Sequence, residues 1–308
     1  MRYDKTLLAF CLKVTLLITI LFGVDKIVGL AFVQMKNVGL ERNPENLWLK
    51  TPFTVEKVDA DVVVIGSSKA IHNYIPDSIS KAYQMTAYNC GQDGCFFLYQ
   101  NCIINMVLDR YKPKVILWDI QPNSFTKANV ADEYQNIRYL TPYYHQNKWA
   151  KEYIDSESAK MPVRMLSCMY GYNSKLLNYV FPLITHASAT KNGYVPLENT
   201  GYAYPQMTRE PQTTDGKLSG EYLTLLDMTL KRCRKANIDI RLYISPVYSV
   251  KDNLTKQAEN AIMRVAEKNE VCLYNYHSDV AFMRDSTFFK DNGHLNDKGA
   301  RWFAKYIE

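Results

Sequence analysis

Apolar and amphipathic stretches alternate along most of the chain, and the alternation predicts strands followed by helices. The runs ADVVVIGSS (60–68) and PKVILWDIQP (113–122) are continuously apolar, which is typical of strands covered on both faces. Shorter strands are predicted in MTAYNCG (85–91), IDIRLYISP (238–246) and VCLYNY (271–276). Helical apolar spacing follows in four segments: 95–111, 219–237, 254–270 and 296–307.

This order of elements predicts the architecture. Strands that alternate with helices favour a mainly parallel sheet with helices on both faces, that is, a flavodoxin-like three-layer α/β/α sandwich. Ser219 and Asn296 stand where the helices at 219–237 and 296–307 need a capping residue. We therefore expect an α/β domain over 59–308.

The N-terminal stretch 6–33 is apolar apart from Lys13, Asp25 and Lys26. A span extended back to Leu7 approaches the roughly 20 residues that a bilayer needs. No clear cleavage site follows it, so we favour an uncleaved signal anchor over 1–35 to a cleaved signal peptide or a buried amphipathic helix. Arg2 and Lys5 precede the span, which predicts a single-pass membrane protein with its domain outside the cytoplasm.

Two segments fall outside the alternation. Residues 36–58 are predicted to be a polar connector between the anchor and the domain. Residues 124–217 are rich in Tyr, Asn, Thr and Pro, with one helical stretch near 162–181, and are predicted to be an insertion in the domain. Because long insertions in compact domains are usually functional, we expect this one to select the substrate.

Composition excludes several classes of function. The net charge is +6, but the basic residues are scattered, so we do not expect nucleic acid as a partner. The seven cysteines form no CxxC pair, and although Cys90, Cys95 and Cys102 are close in sequence, no histidine stands at ligand spacing. We expect neither a metal nor another cofactor, and buried, unpaired roles for these thiols.

The residues that follow the predicted strands carry the candidate chemistry, since ligands of open α/β sheets bind at the carboxyl ends of the strands. A serine (Ser67 or Ser68), a histidine (His294) and a carboxylate (Asp291) are the parts of a nucleophilic triad. Asn89, Gly94 and Asn123 are suitable donors for an oxyanion hole. Either Asp93 or Asp119 could polarise the site, although we expect a structural role for both. The other histidines, His72, His145, His186 and His277, have no motif around them and are expected to be ordinary.

Together these blocks resemble the SGNH hydrolases, the superfamily of GDSL esterases and acyltransferases. GSS at 66–68 is similar to the first block, NCGQDG at 89–94 to the second, PKVILWDIQPN at 113–123 to the third, and DNGH at 291–294 to the last. The match departs from the pattern at Ser67, where the family has aspartate, at Pro122 and at Ser124. The resemblance implies Ser68 as nucleophile, His294 and Asp291 as its partners, and an oxyanion hole of Ser68, Gly94 and Asn123.

The string GSSKAIHNYIPD further resembles a membrane-anchored branch that moves or removes acyl groups on cell-surface polymers. It implies a serine esterase or O-acyltransferase acting on acylated carbohydrate or a similar ester, with possible partner proteins of an envelope acylation pathway and no cofactor. The alternative is an inactive member of the fold that serves as a binding or assembly partner. The sequence does not decide between hydrolysis and transfer.

Overall fold

Five parallel strands form the centre of the molecule. A computed structural model describes residues 5–126, 134, 136–172, 175–185, 190–198 and 217–307. Within these ranges the sheet has the order β2-β1-β3-β4-β5, and each neighbouring pair is parallel. This is the flavodoxin-like order, so the predicted α/β class is confirmed. The strands are β1 (Val62–Ile65), β2 (Ala87–Asn89), β3 (Val115–Asp119), β4 (Asp239–Ile244) and β5 (Leu273–Asn275).

Helices of very different lengths surround the sheet. Short 3-10 turns separate several of them, among them Pro122–Phe125 and Arg138–Tyr143. In chain order the α-helices are α1 (Lys5–Arg42), α2 (Lys50–Glu56), α3 (Ser68–Asn73), α4 (Pro76–Tyr83), α5 (Phe97–Arg110), α6 (Lys148–Asp155), α7 (Met161–Arg164), α8 (Cys168–Tyr172), α9 (Leu176–Ile184), α10 (Gly220–Lys235), α11 (Asn253–Lys268), α12 (Val280–Met283) and α13 (Asp297–Phe303).

The two faces of the sheet bury different side chains. Because successive strand residues point to opposite faces, Val63 and Ile116 pack with α5, α10 and α11, whereas Val64 and Leu117 pack with α3, α4, α12 and α13. Every residue of β1 and β3 is buried, as the continuously apolar runs predicted. The two apolar cores give the three layers of the sandwich.

The predicted helix caps are present. Ser219 Oγ accepts a hydrogen bond from the Tyr222 amide at 3.3 Å, and Asn296 Oδ1 accepts one from the Gly299 amide at 3.0 Å. The pair α3 and α4 was not predicted. Each is at most eight residues long, and Pro76 at the first turn of α4 separates them.

The N-terminal helix extends beyond the predicted anchor. It is one helix, long and apolar enough to cross a membrane, and it continues through residue 35 to Arg42. From Asp25 onward one side of α1 is buried against α8 and α9, with Phe32 stacked on Tyr172 at 5.2 Å between ring centroids. Residues 36–58, the predicted polar connector, complete α1 and form α2, whose Val55 belongs to the core.

The insertion is more helical than its sequence predicted. The one expected helical stretch is divided into α7, α8 and α9, and α6 and the 3-10 turn Arg138–Tyr143 precede it. Pro162 stands in the first turn of α7, and Ser167, whose Oγ atom accepts a hydrogen bond from the Tyr170 amide at 3.2 Å, favours the start of α8. Residues 186–189 and 199–216, and with them His186, lie outside the described residues.

Candidate functional site

Ser68 is the first residue of α3, directly after the turn that leaves β1. Gly66 makes the tight turn possible, because a Cβ there would lie 2.5 Å from Ala70 Cβ and 3.0 Å from Asp119 Cβ. Ser67 precedes the helix at its N-cap position but makes no capping hydrogen bond with its side chain. The turn places Ser68 at the carboxyl edge of the sheet, where the last loop of the domain also arrives.

Asp291 and His294 lie in that loop, and Asp291 organises it. One carboxylate oxygen of Asp291 accepts hydrogen bonds from the backbone amides of Gly293 (2.7 Å) and His294 (2.9 Å). The Nδ1 atom of His294 lies 2.9 and 3.0 Å from the two carboxylate oxygens, and its Nε2 atom lies 2.7 Å from Ser68 Oγ. The three side chains thus form a chain of hydrogen bonds from carboxylate to imidazole to hydroxyl.

The electrostatics of this loop keep the carboxylate charged. Burial raises the pKa of Asp291, but the hydrogen bond and charge of His294 and the two backbone amides outweigh burial and hold the pKa below its usual value. A charged Asp291 fixes the proton of His294 on Nδ1 and leaves Nε2 free to accept the serine proton. The arrangement can therefore activate the Ser68 hydroxyl as a nucleophile.

Ser67, the rival nucleophile, lies in a different environment. Its side chain is fully buried, and its Oγ atom accepts a hydrogen bond from Gln121 Nε2. Ser68 is partly exposed and lines a cleft with His294. Of the two serines, Ser68 is the one whose hydroxyl contacts the histidine.

Asn89 does not have the donor role that its sequence position suggested. Its side-chain amide donates to the carbonyls of Ala70 (2.7 Å) and Tyr74 (2.8 Å), and its Oδ1 atom accepts from the Gly91 amide (2.9 Å). Both ends of the side chain are used to tie α3 to the turn after β2. Asn89 supports the helix that carries Ser68 and has no amide hydrogen left for a substrate.

The structure places the oxyanion candidates Gly94 and Asn123 on two separate loops. Asn123 is exposed in the turn after β3 and lines the same cleft as Ser68. Gly94 follows β2 with a φ of +69°, a conformation that glycine adopts at little cost, and its carbonyl accepts a hydrogen bond from Asn136. The oxyanion hole of Ser68, Gly94 and Asn123 remains a prediction.

His72 and Asp93 are site residues that the sequence reasoning set aside. His72 Nε2 lies 3.3 Å from Asp93 Oδ1, and the ring of His72 lies edge-on to that of His294 with centroids 6.1 Å apart. A signal was present in the sequence, since His72 is four residues after Ser68 and therefore on the same face of α3. The pair links this helix to the loop that carries Gly94.

Asp119, for which the sequence predicted a structural role, lies next to the turn that leads to Ser68, since a Cβ at Gly66 would be 3.0 Å from Asp119 Cβ. Asp119 is fully buried, and its carboxylate accepts a hydrogen bond from Ser245. Burial raises the pKa of Asp119 to about 6, although Lys69, Ser245 and Tyr74 act in the opposite direction. Burial also lowers the pKa of the Lys69 ammonium, against the attraction of Asp119 and other carboxylates.

The cleft at this edge has a volume of about 250 Å³. Ser68, Lys69, Gln121, Asn123, His277 and His294 contribute to its walls. Across the described ranges, no three His, Cys, Asp or Glu side chains lie together in a way that could hold a metal ion. Cys90, Cys95 and Cys102 are buried in the core.

Comparison with known proteins gives similarities in fold. No protein-family model matches the chain, and the search among curated proteins found no match. Similar solved structures include an acetyl xylan esterase, 14% identical with a TM-score of 0.39 over 79% of this chain and 96% of that one. A psychrotrophic esterase from Pseudoalteromonas sp. is 11% identical, with a TM-score of 0.40 over 79% and 92% of the two chains. A protein assigned to the G-D-S-L family of lipolytic proteins from Desulfitobacterium hafniense DCB-2 is 10% identical, with a TM-score of 0.39 over 80% and 98%.

Proposed function

We propose that the protein is a membrane-anchored serine esterase or O-acyltransferase that works through Ser68, His294 and Asp291. The observation that carries the proposal is the 2.7 Å contact between His294 Nε2 and Ser68 Oγ, with Asp291 on the other ring nitrogen. A candidate base must lie within hydrogen-bond reach of the proton it removes, and this one does. The same residues carry the resemblance of the sequence to the SGNH hydrolases.

The first half-reaction is acyl transfer to the enzyme. His294 Nε2 accepts the proton of Ser68 as Oγ bonds to the ester carbonyl carbon, and the carbonyl oxygen becomes an oxyanion. The amides of Ser68 and Gly94 and the side chain of Asn123 are the donors proposed to stabilise it. As the bond to the leaving alcohol breaks, His294 returns the proton to that oxygen, and an acyl group remains on Ser68.

The second half-reaction determines whether the enzyme hydrolyses or transfers. Water or a carbohydrate hydroxyl gives its proton to His294 and attacks the acyl carbon, and Ser68 regains its proton as the acyl group leaves. Acetyl groups on cell-surface glycans are the substrates that the family resemblance suggests. The cycle needs no cofactor, because every proton is held by His294 or by a reacting oxygen.

The anchor belongs to the same proposal. The apolar side chains of α1 between Leu7 and Val24 are exposed to the surroundings, which suits contact with lipid. Lys5 lies before this span and Arg2 precedes it in the sequence, so the domain is proposed to lie outside the cytoplasm.

Labelling of the full chain with a fluorophosphonate probe tests the nucleophile. We expect Ser68→Ala to abolish labelling and the hydrolysis of simple acetyl esters. Ser67→Ala is the matched control, since it removes the neighbouring hydroxyl and leaves the contact with His294. Full labelling and activity of the Ser68→Ala protein would refute Ser68 as the nucleophile and shift the assignment to Ser67. A parent protein that neither binds the probe nor hydrolyses the esters would favour the binding or assembly role.

Product analysis separates hydrolysis from transfer. The full chain is incubated with an acetyl ester donor, with and without an oligosaccharide acceptor, and acetylated acceptor and free acetate are quantified. Acetylated oligosaccharide that requires Ser68 identifies a transferase. Release of acetate alone identifies an esterase.

A further inference from the structure

The contact between α1 and the insertion shows at which height along the helix the insertion lies. The Asp25 carboxylate accepts hydrogen bonds from Ser167 Oγ (2.6 Å) and from the backbone amides of Cys168 (2.7 Å) and Met169 (2.9 Å). Beside it, Lys26 Nζ donates to the Leu166 carbonyl at 2.9 Å. The segment 166–169 therefore lies at the same height along α1 as Asp25 and Lys26.

This level coincides with the end of the apolar span. Between Lys5 and Val24 the helix has about 20 residues, which at about 1.5 Å per residue reach roughly 30 Å, the thickness of the hydrocarbon core of a bilayer. The described residues of this stretch are all exposed. If α1 spans a bilayer, as proposed above, residues 25–26 and 166–169 lie at the membrane surface.

Apolar side chains crowd the surface at that height. Val163, Leu166 and Met169 are 70%, 62% and 48% exposed, and on α1 Ile27 and Leu30 are 67% and 71% exposed. The first exposed polar side chain after Leu30 is Gln34, one turn further on. We call Ile27, Leu30, Val163, Leu166 and Met169 the apolar collar. Large apolar side chains exposed together in one region mark a site of contact with a membrane or a protein.

The charges around the collar favour lipid. Lys160 and Arg164 are exposed on either side of Val163, and Lys26 lies next to Ile27. The acidic residue at this level, Asp25, is buried and accepts three hydrogen bonds from α8 and its cap. Basic side chains beside an apolar patch suit the anionic head groups of a bilayer surface.

We propose that the apolar collar dips into the interface of the bilayer that α1 spans, so that the insertion binds the membrane as a second contact. The inference rests on the proposed membrane insertion of α1 and is independent of the catalytic assignment. The domain is then held against the lipid surface by Val163, Leu166 and Met169 and does not stand free above it. The partner that the apolar collar contacts is the lipid bilayer itself.

Tryptophan quenching in vesicles tests the proposal. The full chain is reconstituted into phosphatidylcholine vesicles with brominated acyl chains, and the emission of each variant is compared with that of the parent, which has four native tryptophans. We expect the added emission of Leu166→Trp and Val163→Trp to be largely quenched. Met228→Trp is the matched control, because Met228 is 57% exposed on α10, away from α1, and it should keep its emission.

Leu17→Trp reports separately on the span. Quenching at position 17 together with emission from position 166 as strong as that from position 228 would overturn the collar and leave the anchor standing. Loss of quenching at position 17 would overturn both, because no bilayer would then surround α1. Neither result touches the esterase assignment, which Ser68→Ala tests in detergent solution.

Discussion

The Nε2 atom of His72 lies 3.3 Å from Asp93 Oδ1, and the His72 ring lies edge-on to the ring of His294. The Nδ1 atom of His72 also lies 2.7 Å from the Val195 carbonyl, so the ring is fixed from two sides. This pair gives a rigid connection between α3, which begins at Ser68, and the loop of Gly94. We therefore regard His72 as a positioning residue of the candidate site.

Replacement of His72 by alanine should lower kcat more than it changes KM. Loss of the contact with Asp93 frees the Gly94 loop, and a displacement of a reacting group by a fraction of an ångström is expected to cost about 10-fold or more in rate. Steady-state kinetics on an acetyl ester would measure the split. His145→Ala is the control, since His145 contacts the Met165 carbonyl in the insertion and should leave kcat unchanged. Equal kinetics of the two variants would exclude the positioning role.

Asp291→Asn should reduce kcat by about 10³- to 10⁴-fold, the size of effect seen when the orienting carboxylate of a triad is neutralised. An amide in this place no longer fixes the His294 proton on Nδ1, so Nε2 is not reliably free to accept. Asp285→Asn is the control, because Asp285 caps the 3-10 turn Ser286–Phe288, which directly precedes the loop of Asp291 and His294. An Asp291→Asn enzyme with parental kcat would assign the orienting role elsewhere.

Lys50 gives the fold a pH dependence that is separate from catalysis. It is buried, donates to the Asn89 carbonyl at 2.6 Å, and burial lowers its pKa to about 7 against the attraction of Glu45 and other groups. Above pH 7 the folded state binds fewer protons here than the unfolded state, whose lysine titrates near 10.4. The free energy of unfolding should then rise with pH between about 7 and 9, by at most about 1.4 kcal/mol per pH unit.

Lys50→Met should flatten this rise, because the titrating group is gone. Thermal unfolding of the full chain at a series of pH values measures the slope. Lys57→Met removes an exposed lysine just after α2 and should keep the parental slope. A Lys50→Met protein with the full slope would show that other groups cause it.

Gly91→Ala should destabilise the fold and impair the site together. A Cβ at position 91 would lie 2.6 Å from the Ile71 amide nitrogen and 2.8 Å from Ala70 Cβ, so α3 would have to move. Overpacking of this kind costs about 1 to 3 kcal/mol. Gly220→Ala is the control, since nothing lies within 4 Å of its added Cβ. Chemical unfolding midpoints and esterase rates should fall for the first variant and stay near parental for the second.

Most of the fold could be predicted because its signals are local. The apolar runs of β1 and β3 and the caps at Ser219 and Asn296 need only a few neighbouring residues to be recognised. The helices α2 and α3 were missed because they are short, and the burial that stabilises them comes from the rest of the domain. The end of α1 was placed too early because its last turns become polar where they contact the insertion.

The candidate site was predictable to a different extent. The spacing of Asp291 and His294 belongs to one loop and could be read directly. The choice between Ser67 and Ser68 needs the geometry, since the two hydroxyls differ in burial and in their partners, Gln121 for Ser67 and His294 for Ser68. The support that Asn89 gives to α3 and the link from His72 to Asp93 depend on contacts between segments that are separated in sequence. No local pattern contains such contacts.

Because α1 is continuous, the cleft can move only a short distance relative to the membrane. A flexible linker would let a tethered domain sweep a volume that grows with linker length. Here the helix that enters the bilayer in our proposal continues to Arg42 without a break and is clamped to the domain along its last turns. The continuous helix α1 then sets the orientation and height of the cleft. The substrate must therefore move to bring its ester groups to this fixed point above the lipid.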